Sequence, residues 1–370
     1  MAAAGQARSA VAEAPGPVSA DVSVVVVNHN YGRFVADAVE SALQQTHDRV
    51  QVVVVDDGST DDSRAVLRRY EDRVVLVLKQ NGGQGSAFNA GFRHATGAAV
   101  IFLDADDLLA PDTAARVARA FHGRPELAKV HYRLEVMDGA GRPTGALTPP
   151  AGLPLPTGDL RELVRLHPDD VTYPPASGNA FARRALQRVL PMPEEDYRIL
   201  ADVYLLNTVP LLGPVAALEG TGGRYRVHDA NSHYAARLRP ERVRATVRVT
   251  HATHAHTRRL ALALGLEAPP EPERDDRSLV FLSQRLVSRK LDPRSHPFPG
   301  DTVARLAGRG AAAALRRPDL SAGMRSLYVA WFLAMAAAPR RLTPWLAEQL
   351  LYPERRGALS ALVERLRRPA

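Results

Sequence analysis

The chain has 370 residues, a formal net charge of +8 and a hydrophobic content of 45%, and it contains no cysteine. The lack of cysteine excludes disulfide frameworks, cysteine nucleophiles and thiolate metal sites. The length suits two domains, or one α/β domain with a long appendage, and no apolar run reaches the roughly 18–20 residues that a membrane-spanning helix needs.

The chain begins with a segment, residues 1–20, that is rich in Ala, Gly, Pro and Ser and lacks the apolar core of a signal peptide. We therefore expect a disordered leader. Residues 22–27 are a β-branched run that predicts a buried strand, and polar residues follow it as a loop. The helical spacing of apolar residues then predicts a helix over residues 34–44.

Further strands alternate with helices along the chain. The predicted elements are strands over residues 51–55, 74–78 and 100–103, and helices over residues 63–70 and 87–95. Ser59, Thr60 and Asp61 are candidate N-terminal caps for the first of these helices, and a glycine-rich turn precedes the second. Alternation of this kind predicts a mostly parallel sheet with helices on both faces.

Polar side chains follow three of the predicted strands directly. They are Asn28, His29, Asp56, Asp57, Asp104 and Asp106. In an open parallel sheet, ligands bind beyond the carboxyl ends of the strands. We therefore expect these side chains to meet at one edge of the sheet and to form a single ligand site.

The pattern Asp104-Ala105-Asp106 directly follows a buried apolar run. Side chains alternate along an extended chain, so the two carboxylates can point the same way. Neighbouring carboxylates repel each other unless a cation lies between them. Mg²⁺ and Mn²⁺ are the expected cations, because both favour oxygen ligands and accept substrate phosphates as further ligands. A solvated acidic turn is the alternative explanation.

The C-terminal part of the chain is basic, with 25 Lys and Arg against 12 Asp and Glu after residue 236. This excess favours an anionic partner, either a membrane surface or nucleic acid, and no nucleic-acid-binding motif is present. Helices are predicted over residues 242–264, 278–289, 326–338 and 344–351, with a Pro-rich joint at 269–272. The last two are apolar, carry both tryptophans and have flanking arginines, as interfacial helices do. A hairpin packed on the preceding domain, or a dimer contact, would explain them as well.

Several spaced motifs together resemble those of the family 2 glycosyltransferases. They occupy residues 22–30, 55–59, 81–91 and 102–112. The resemblance implies the GT-A fold, an α/β Rossmann-like, mostly parallel sheet flanked by helices. It places this glycosyltransferase domain at residues 21–236 and leaves a basic helical region at residues 237–370.

The resemblance also implies site roles. Nucleotide-sugar binding falls to Asn28, His29, Asn30, Asp56, Asp57, Gly83, Asp104 and Ala105. Metal ligation falls to Asp104, Asp106 and His228, and the acceptor side to Ser177, Gly178 and Asn179. Asp202 takes the position of the catalytic base. The chain departs from the family at Val27, where Pro or Thr is frequent, at His29, often Tyr, and at Ala201, where members usually carry an acid.

The implied activity is an inverting hexosyl transfer, dependent on Mg²⁺ or Mn²⁺, from a UDP-, GDP- or dTDP-sugar to a hydroxyl of a glycan or lipid-linked acceptor. The Q-x-x-R-W motif and membrane spans of processive synthases are lacking, so we expect one sugar to be transferred at a time. We expect a cytoplasmic enzyme of cell-envelope polysaccharide assembly, peripheral at the inner face of the membrane, with a homodimer as one option. A non-catalytic nucleotide-sugar-binding scaffold of the same fold is the alternative. A nucleotidyltransferase is a further alternative. It would usually need a basic glycine-rich phosphate loop, and none follows Val27.

Overall fold

The fold is that of a computed structural model, which describes residues 20–228, 238–270, 278–317 and 320–351. Residues 1–19 of the predicted leader, and residues 271–272 of the predicted Pro-rich joint, lie outside these ranges.

The first half of the chain forms a parallel sheet in the order β3-β2-β1-β4. The strands are β1 Ala20–Asn28, β2 Val50–Asp57, β3 Val75–Lys79 and β4 Gly97–Asp104, and the helices are α1 Gly32–Leu43, α2 Ser63–Leu67 and α3 Gln84–His94. Helix α3 begins three residues before the predicted start. Its first two amides, at Gln84 and Gly85, donate to the carbonyls of Arg198 and Tyr197 at 2.9 and 2.8 Å, so the early start leaves no unsatisfied N–H there.

The second half completes a nine-stranded sheet within the described residues, continuing from β4 in the order β8-β6-β9-β5, with β7 paired to β6. Its elements are β5 Leu108–Leu109, α4 Thr113–Gly123, β6 Lys129–Asp138, β7 Pro143–Thr148, α5 Arg161–Leu166, β8 Asn179–Ala182, α6 Arg183–Val189, α7 Ala201–Thr208 and β9 Val215–Val227. Strand β8 is antiparallel to β4 and β6, whereas β9 is parallel to β6. The predicted α/β sheet flanked by helices is confirmed.

The side chains of β1 alternate between two hydrophobic cores, one on each face of the sheet. Val24 and Val26 pack with α1 in the first core, and Val25 packs with Phe88 of α3 in the second. These valines are fully buried. A strand buried on both faces has no polar alternation, which explains the continuous run of valines.

The C-terminal helices have a hydrophobic core of their own. They are α8 Pro240–Ala263, α9 Leu279–Leu291, α10 Val303–Leu315, α11 Ala322–Ala337 and α12 Thr343–Leu351. Helix α8 connects this core with the sheet, because its Val243 packs in the helical core and its Val249 packs in the second core of the sheet. Among the described helices, none combines the length and apolar character required to cross a bilayer.

A buried ionic group fixes the loop between α9 and α10. Arg285 donates to both carboxylate oxygens of Asp301 at 2.9 and 2.7 Å, and His296 Nε2 lies 2.9 Å from the same carboxylate. Burial would raise the pKa of this carboxyl, but hydrogen bonds from His296 and Arg285 bring it below the usual value of 3.8.

We expect Asp301→Asn to lower the free energy of unfolding by about 3 kcal/mol at pH 7, because Arg285 would stay buried without its counter-charge. A depressed folded-state pKa stabilises the fold above the unfolded value, and this contribution is lost as pH falls through the folded value. Urea unfolding should therefore show a gap between wild type and variant that narrows below about pH 4. The exposed Asp72→Asn is the control, with a change within about 0.5 kcal/mol; an equally small change for Asp301→Asn would contradict the prediction.

Candidate active site

Asn28 and Asp56 form a buried polar network at the ends of the adjacent strands β1 and β2. The strand register pairs them, and Asn28 Nδ2 donates to Asp56 Oδ1 at 2.9 Å. Oδ2 of Asp56 accepts from the Ser59 amide at 3.1 Å and from Arg64 Nε at 2.9 Å. Burial would raise the pKa of this carboxyl, but the hydrogen bonds from Ser59, Arg64 and Asn28 lower it. The network holds this edge of the sheet in shape, and the predicted donor contacts of both residues remain predictions.

Asp57 holds the glycine-rich loop against the strand ends. Its carboxylate accepts from the amides of Gly82 and Gly83 at 2.9 and 2.7 Å, and Lys79 Nζ lies 2.5 Å from Oδ1. Gly83 has a φ of +88°, and a Cβ there would lie 2.6 Å from the Cα of Arg198. Only glycine can occupy this position. The loop is therefore held between Asp57 and the segment that precedes α7.

His29 and Asn30 form the exposed rim beside this loop. His29 Nδ1 lies 2.9 Å from the carbonyl oxygen of Asp57, and because a carbonyl only accepts, this nitrogen carries the proton. Asn30 has a φ of +60°, and its side-chain oxygen accepts from the Thr60 amide at 2.7 Å. The imidazole is thus oriented by the backbone on an exposed residue, which suits the predicted stacking on a nucleobase.

Asp104 is the least satisfied carboxylate at the end of β4. Within the described structure it accepts one long hydrogen bond, from Gln84 Nε2 at 3.5 Å. Burial raises its pKa well above the usual value, and the charges of Asp106 and Asp202 raise it further. Ala105 is 1% exposed, and its amide donates to the Val27 carbonyl of the neighbouring strand β1 at 3.1 Å. A cation would stabilise the ionised form of Asp104.

Asp107 is buried behind these residues and supports the turn. It accepts from Ser177 Oγ at 2.6 Å and from the Arg226 amide at 2.9 Å. Burial raises its pKa well above the usual value, and the charges of Asp106 and Asp104 add to the rise. Its two protein donors indicate a structural role at the end of the strand.

The end of β9 brings His228 to Asp106. His228 Nε2 lies 3.0 Å from Asp106 Oδ2, and Arg33 donates to His228 Nδ1 at 3.2 Å. The imidazole centroid lies 4.7 Å from that of Phe34. Two of the three predicted metal ligands, far apart in sequence, are therefore adjacent in the fold.

Asp202 lies in the first turn of α7, close enough to Asp104 for its charge to raise the pKa of that carboxyl. The Gln84 side chain links the start of α7 to Asp104, because its Oε1 accepts from the Ala201 amide at 2.9 Å while its Nε2 faces Asp104. Burial lowers the pKa of Lys129 well below the usual value, and the charge of Asp202 partly offsets this effect. Asp202 therefore acts electrostatically on both Asp104 and Lys129.

The predicted acceptor-side residues are buried at the start of β8 and in the turn before it. Ser177 Oγ accepts from the Asp104 amide at 3.1 Å, and Asn179 Nδ2 donates to the Pro175 carbonyl at 2.7 Å. A Cβ on Gly178 would lie 2.5 Å from the Cβ of Pro174. These contacts hold the segment beside the carboxylates, and acceptor binding by it remains a prediction.

A buried cluster on β6 was missed at the level of the sequence. Lys129 is fully buried, with Nζ 3.2 Å from His131 Nδ1 and 3.8 Å above the Tyr173 ring. Burial lowers the pKa of His131 to about 2, and the charge of Lys129 also contributes. The alternation of Lys and His with apolar residues in 129–134 was the available signal, since it is typical of a strand with one polar face.

The donor set at this edge decides whether a divalent cation fits. Asp104 and Asp106 offer hard oxygen ligands and His228 offers a nitrogen, which suits Mn²⁺ or Mg²⁺. The described residues include no preformed group of three or more His, Cys, Asp or Glu that could hold a metal ion. The poorly satisfied Asp104 fits a cation that takes its remaining ligands from a substrate.

Comparisons with known proteins show the family and the fold of the chain. The family model described as glycosyl transferase family 2 matches residues 23–189. An uncharacterised glycosyltransferase of Nostoc sp. (strain PCC 7120) is 35% identical over 219 residues, which cover 58% of this chain and 67% of that protein. The succinoglycan biosynthesis protein ExoO of Rhizobium meliloti is 31% identical over 282 residues, which cover 73% of this chain and 79% of ExoO.

Among solved structures, residues 1–349 of S. aureus TarS in complex with UDP-GlcNAc share the fold with a TM-score of 0.51. The identity is 16%, and the match covers 91% of this chain and 92% of that one. The chain belongs to glycosyl transferase family 2, has the GT-A fold and is a glycosyltransferase.

Proposed function

We propose that the protein transfers a sugar from a nucleotide-diphospho-sugar to an acceptor hydroxyl, with inversion at the anomeric carbon and with Mg²⁺ or Mn²⁺ as cofactor. One observation carries the proposal. Asp104 accepts one long hydrogen bond and lies next to Asp106, and Gln84 links it both to the glycine-rich loop held by Asp57 and to the start of helix α7, which carries Asp202. This arrangement supports a nucleotide near Asp57 and an acceptor near Asp202.

The donor would lie across the carboxyl ends of the parallel strands, where open α/β sheets bind ligands. The exposed ring of His29 would stack on the nucleobase, beside the loop that Asp57 fixes. Asp104, Asp106 and His228 would hold the cation, which when bound would stabilise the negative charge of the diphosphate leaving group.

Asp202 would act as the base on the acceptor side. The acceptor hydroxyl loses its proton to the Asp202 carboxylate as its oxygen bonds to the anomeric carbon, and the bond from that carbon to the diphosphate oxygen breaks. Attack from the face opposite the leaving group inverts the anomeric centre. The position of Asp202 in the first turn of α7, held near Asp104 by Gln84, supports this role.

We expect Asp202→Asn to lower kcat by about 10²–10⁴-fold, the usual contribution of a general base, while donor affinity stays close to that of wild type. Release of the nucleoside diphosphate measures turnover. The control is Asp196→Asn, which removes a half-exposed carboxylate paired with His256 outside the carboxylate cluster. An Asp202→Asn enzyme that keeps near-normal turnover would rule out the assigned role.

Donor and metal are tested together by thermal stabilisation of the full chain. A panel of UDP-, GDP- and dTDP-sugars is screened with and without Mn²⁺, and a true donor at about 100 times its Kd should add about 2.7 kcal/mol of stability. We expect stabilisation by one donor class, with Mn²⁺ increasing it and Asp106→Ala removing the Mn²⁺ effect. Donor stabilisation that is the same with Mn²⁺, without it and in Asp106→Ala would contradict metal dependence.

The similarity to a succinoglycan biosynthesis protein supports a glycan or lipid-linked acceptor in cell-envelope or exopolysaccharide assembly. Transfer of single sugars rather than processive synthesis rests on the sequence, which lacks the Q-x-x-R-W motif of processive synthases. We assign catalysis to residues 21–236, which carry the whole carboxylate edge, and leave residues 237–370 as a basic helical region.

That helical region would bind the enzyme to the anionic inner face of the cytoplasmic membrane. Leu333, Leu342 and Trp345 are large apolar residues that are 55%, 47% and 55% exposed on neighbouring elements. Arg340 and Arg341 are exposed between them. Apolar side chains flanked by cations are typical of helices at the interface of an anionic bilayer.

We expect the full chain to sediment with vesicles that contain phosphatidylglycerol and much less with neutral phosphatidylcholine vesicles. Trp345→Gln should reduce the bound fraction several-fold, because it removes the largest exposed apolar side chain of the surface. Leu262→Gln, at a 45% exposed position on α8, is the matched control and should bind as wild type. Equal sedimentation of the Trp345 variant and wild type would exclude this surface as the contact, and an elution volume typical of a dimer that the same variant abolishes would assign it to self-association.

A further inference from the structure

Arg33 is an exposed arginine at the acidic edge that makes no ion pair within the described residues. It lies in the first turn of α1, with its guanidinium 4.3 Å from the Phe34 ring centroid. Its hydrogen bond is to a neutral acceptor, His228 Nδ1, at 3.2 Å. Its closest polar partner is thus one of the proposed metal ligands.

This hydrogen bond fixes where the proton of the imidazole is. A guanidinium only donates, so Nδ1 of His228 must present its lone pair to Arg33. The neutral ring then carries its proton on Nε2, which donates to Asp106 Oδ2 at 3.0 Å. In this arrangement both ring nitrogens are used by protein groups, and neither offers a lone pair to a cation.

Ligation of a cation by His228 is therefore incompatible with the Arg33 contact. If Nε2 is to present a lone pair, the ring proton must lie on Nδ1, and an Nδ1–H group faces the N–H of Arg33 without attraction. If Nδ1 is to ligate, it must leave Arg33 directly. Either way the Arg33 side chain has to move away from the ring.

A second arginine, Arg226, also lies over the Phe34 ring, with its guanidinium 4.6 Å from the centroid. The two arginines differ in how firmly the fold holds them. Arg226 is 3% exposed, donates to the Asp106 carbonyl at 2.8 Å and pairs with Asp37 at 3.1 Å. Arg33 is exposed and has one polar contact. Its guanidinium is a planar donor whose geometry matches a phosphate group.

We propose that Arg33 changes its hydrogen-bond partner when the sugar donor binds. In the unliganded protein it donates to His228. When His228 ligates the cation, Arg33 donates instead to the diphosphate of the sugar donor. This inference rests on the proposed function, because it takes His228 as a metal ligand and the donor as a nucleoside diphosphate derivative. It makes loading of the cation and of the diphosphate mutually supportive, since each one releases or uses the same arginine.

The test uses the full chain with two probes, Mn²⁺ alone and Mn²⁺ with inorganic pyrophosphate, and isothermal titration calorimetry as the readout. Arg33→Met should bind Mn²⁺ alone about three- to tenfold more tightly, because no hydrogen bond has to be broken at His228. The same variant should bind pyrophosphate in the presence of Mn²⁺ about tenfold more weakly, because a charge-assisted contact is lost. Arg33→Lys should recover part of the pyrophosphate affinity.

Arg73→Met is the matched control, because Arg73 also lies over a neighbouring aromatic ring, that of Tyr70, and has one polar partner, Glu40, away from the site. It should change neither affinity. In a His228→Asn background, Arg33→Met should no longer tighten Mn²⁺ binding, since the coupled partner is gone. A general loss of structure would weaken both affinities and cannot produce changes of opposite sign.

Two other outcomes separate the possible failures. If wild type binds Mn²⁺ and Arg33→Met changes neither affinity, or weakens both, the exchange by Arg33 is wrong and the metal-dependent function stands. If neither wild type nor any variant binds Mn²⁺ or the Mn²⁺–pyrophosphate pair, the metal part of the proposed function is wrong, and the exchange is overturned with it.

Discussion

Repulsion among the acidic side chains that follow β4 is the constraint on which the rest of the site depends. Asp104, Asp106 and Asp107 lie within four residues of one another, and burial strengthens their mutual effect because little solvent screens it. The fold brings donors from later elements to two of them, Ser177 to Asp107 and His228 to Asp106. Asp104 has only the long hydrogen bond from Gln84, and under the proposed function a cation would balance its negative charge.

The first half of the fold could be predicted from the sequence because buried parallel strands have a simple pattern. Residues 22–27 and 51–55 lie within β1 and β2, and polar residues mark their ends. The second half has no such pattern. Strand β6 alternates polar and apolar residues, but Lys129 and His131 lie on a buried face, which the alternation does not indicate. Strand β8 has only four residues, too few for a clear pattern.

The sequence motifs indicated candidate site residues but not the contacts between them. Asp104, Asp106 and His228 came from motifs, and the structure places the last two side by side. The contact of Arg33 with His228 joins residues 195 positions apart, and nothing in the local sequence of either indicates the other. Contacts of this kind depend on how loops from separate strands pack together, which periodicity and propensity do not specify.

The side-chain amide of Gln84 makes two contacts that fix which way the amide faces. Its oxygen accepts from the Ala201 amide and its nitrogen donates toward Asp104. If the amide were flipped by 180°, oxygen would face a carboxylate and an NH₂ group would face an N–H, so both contacts would become repulsive. The side-chain amide of Gln84 thus has one permitted orientation. It links the start of α7 to the carboxyl end of β4, so the relative position of Asp202 and Asp104 depends on one amide.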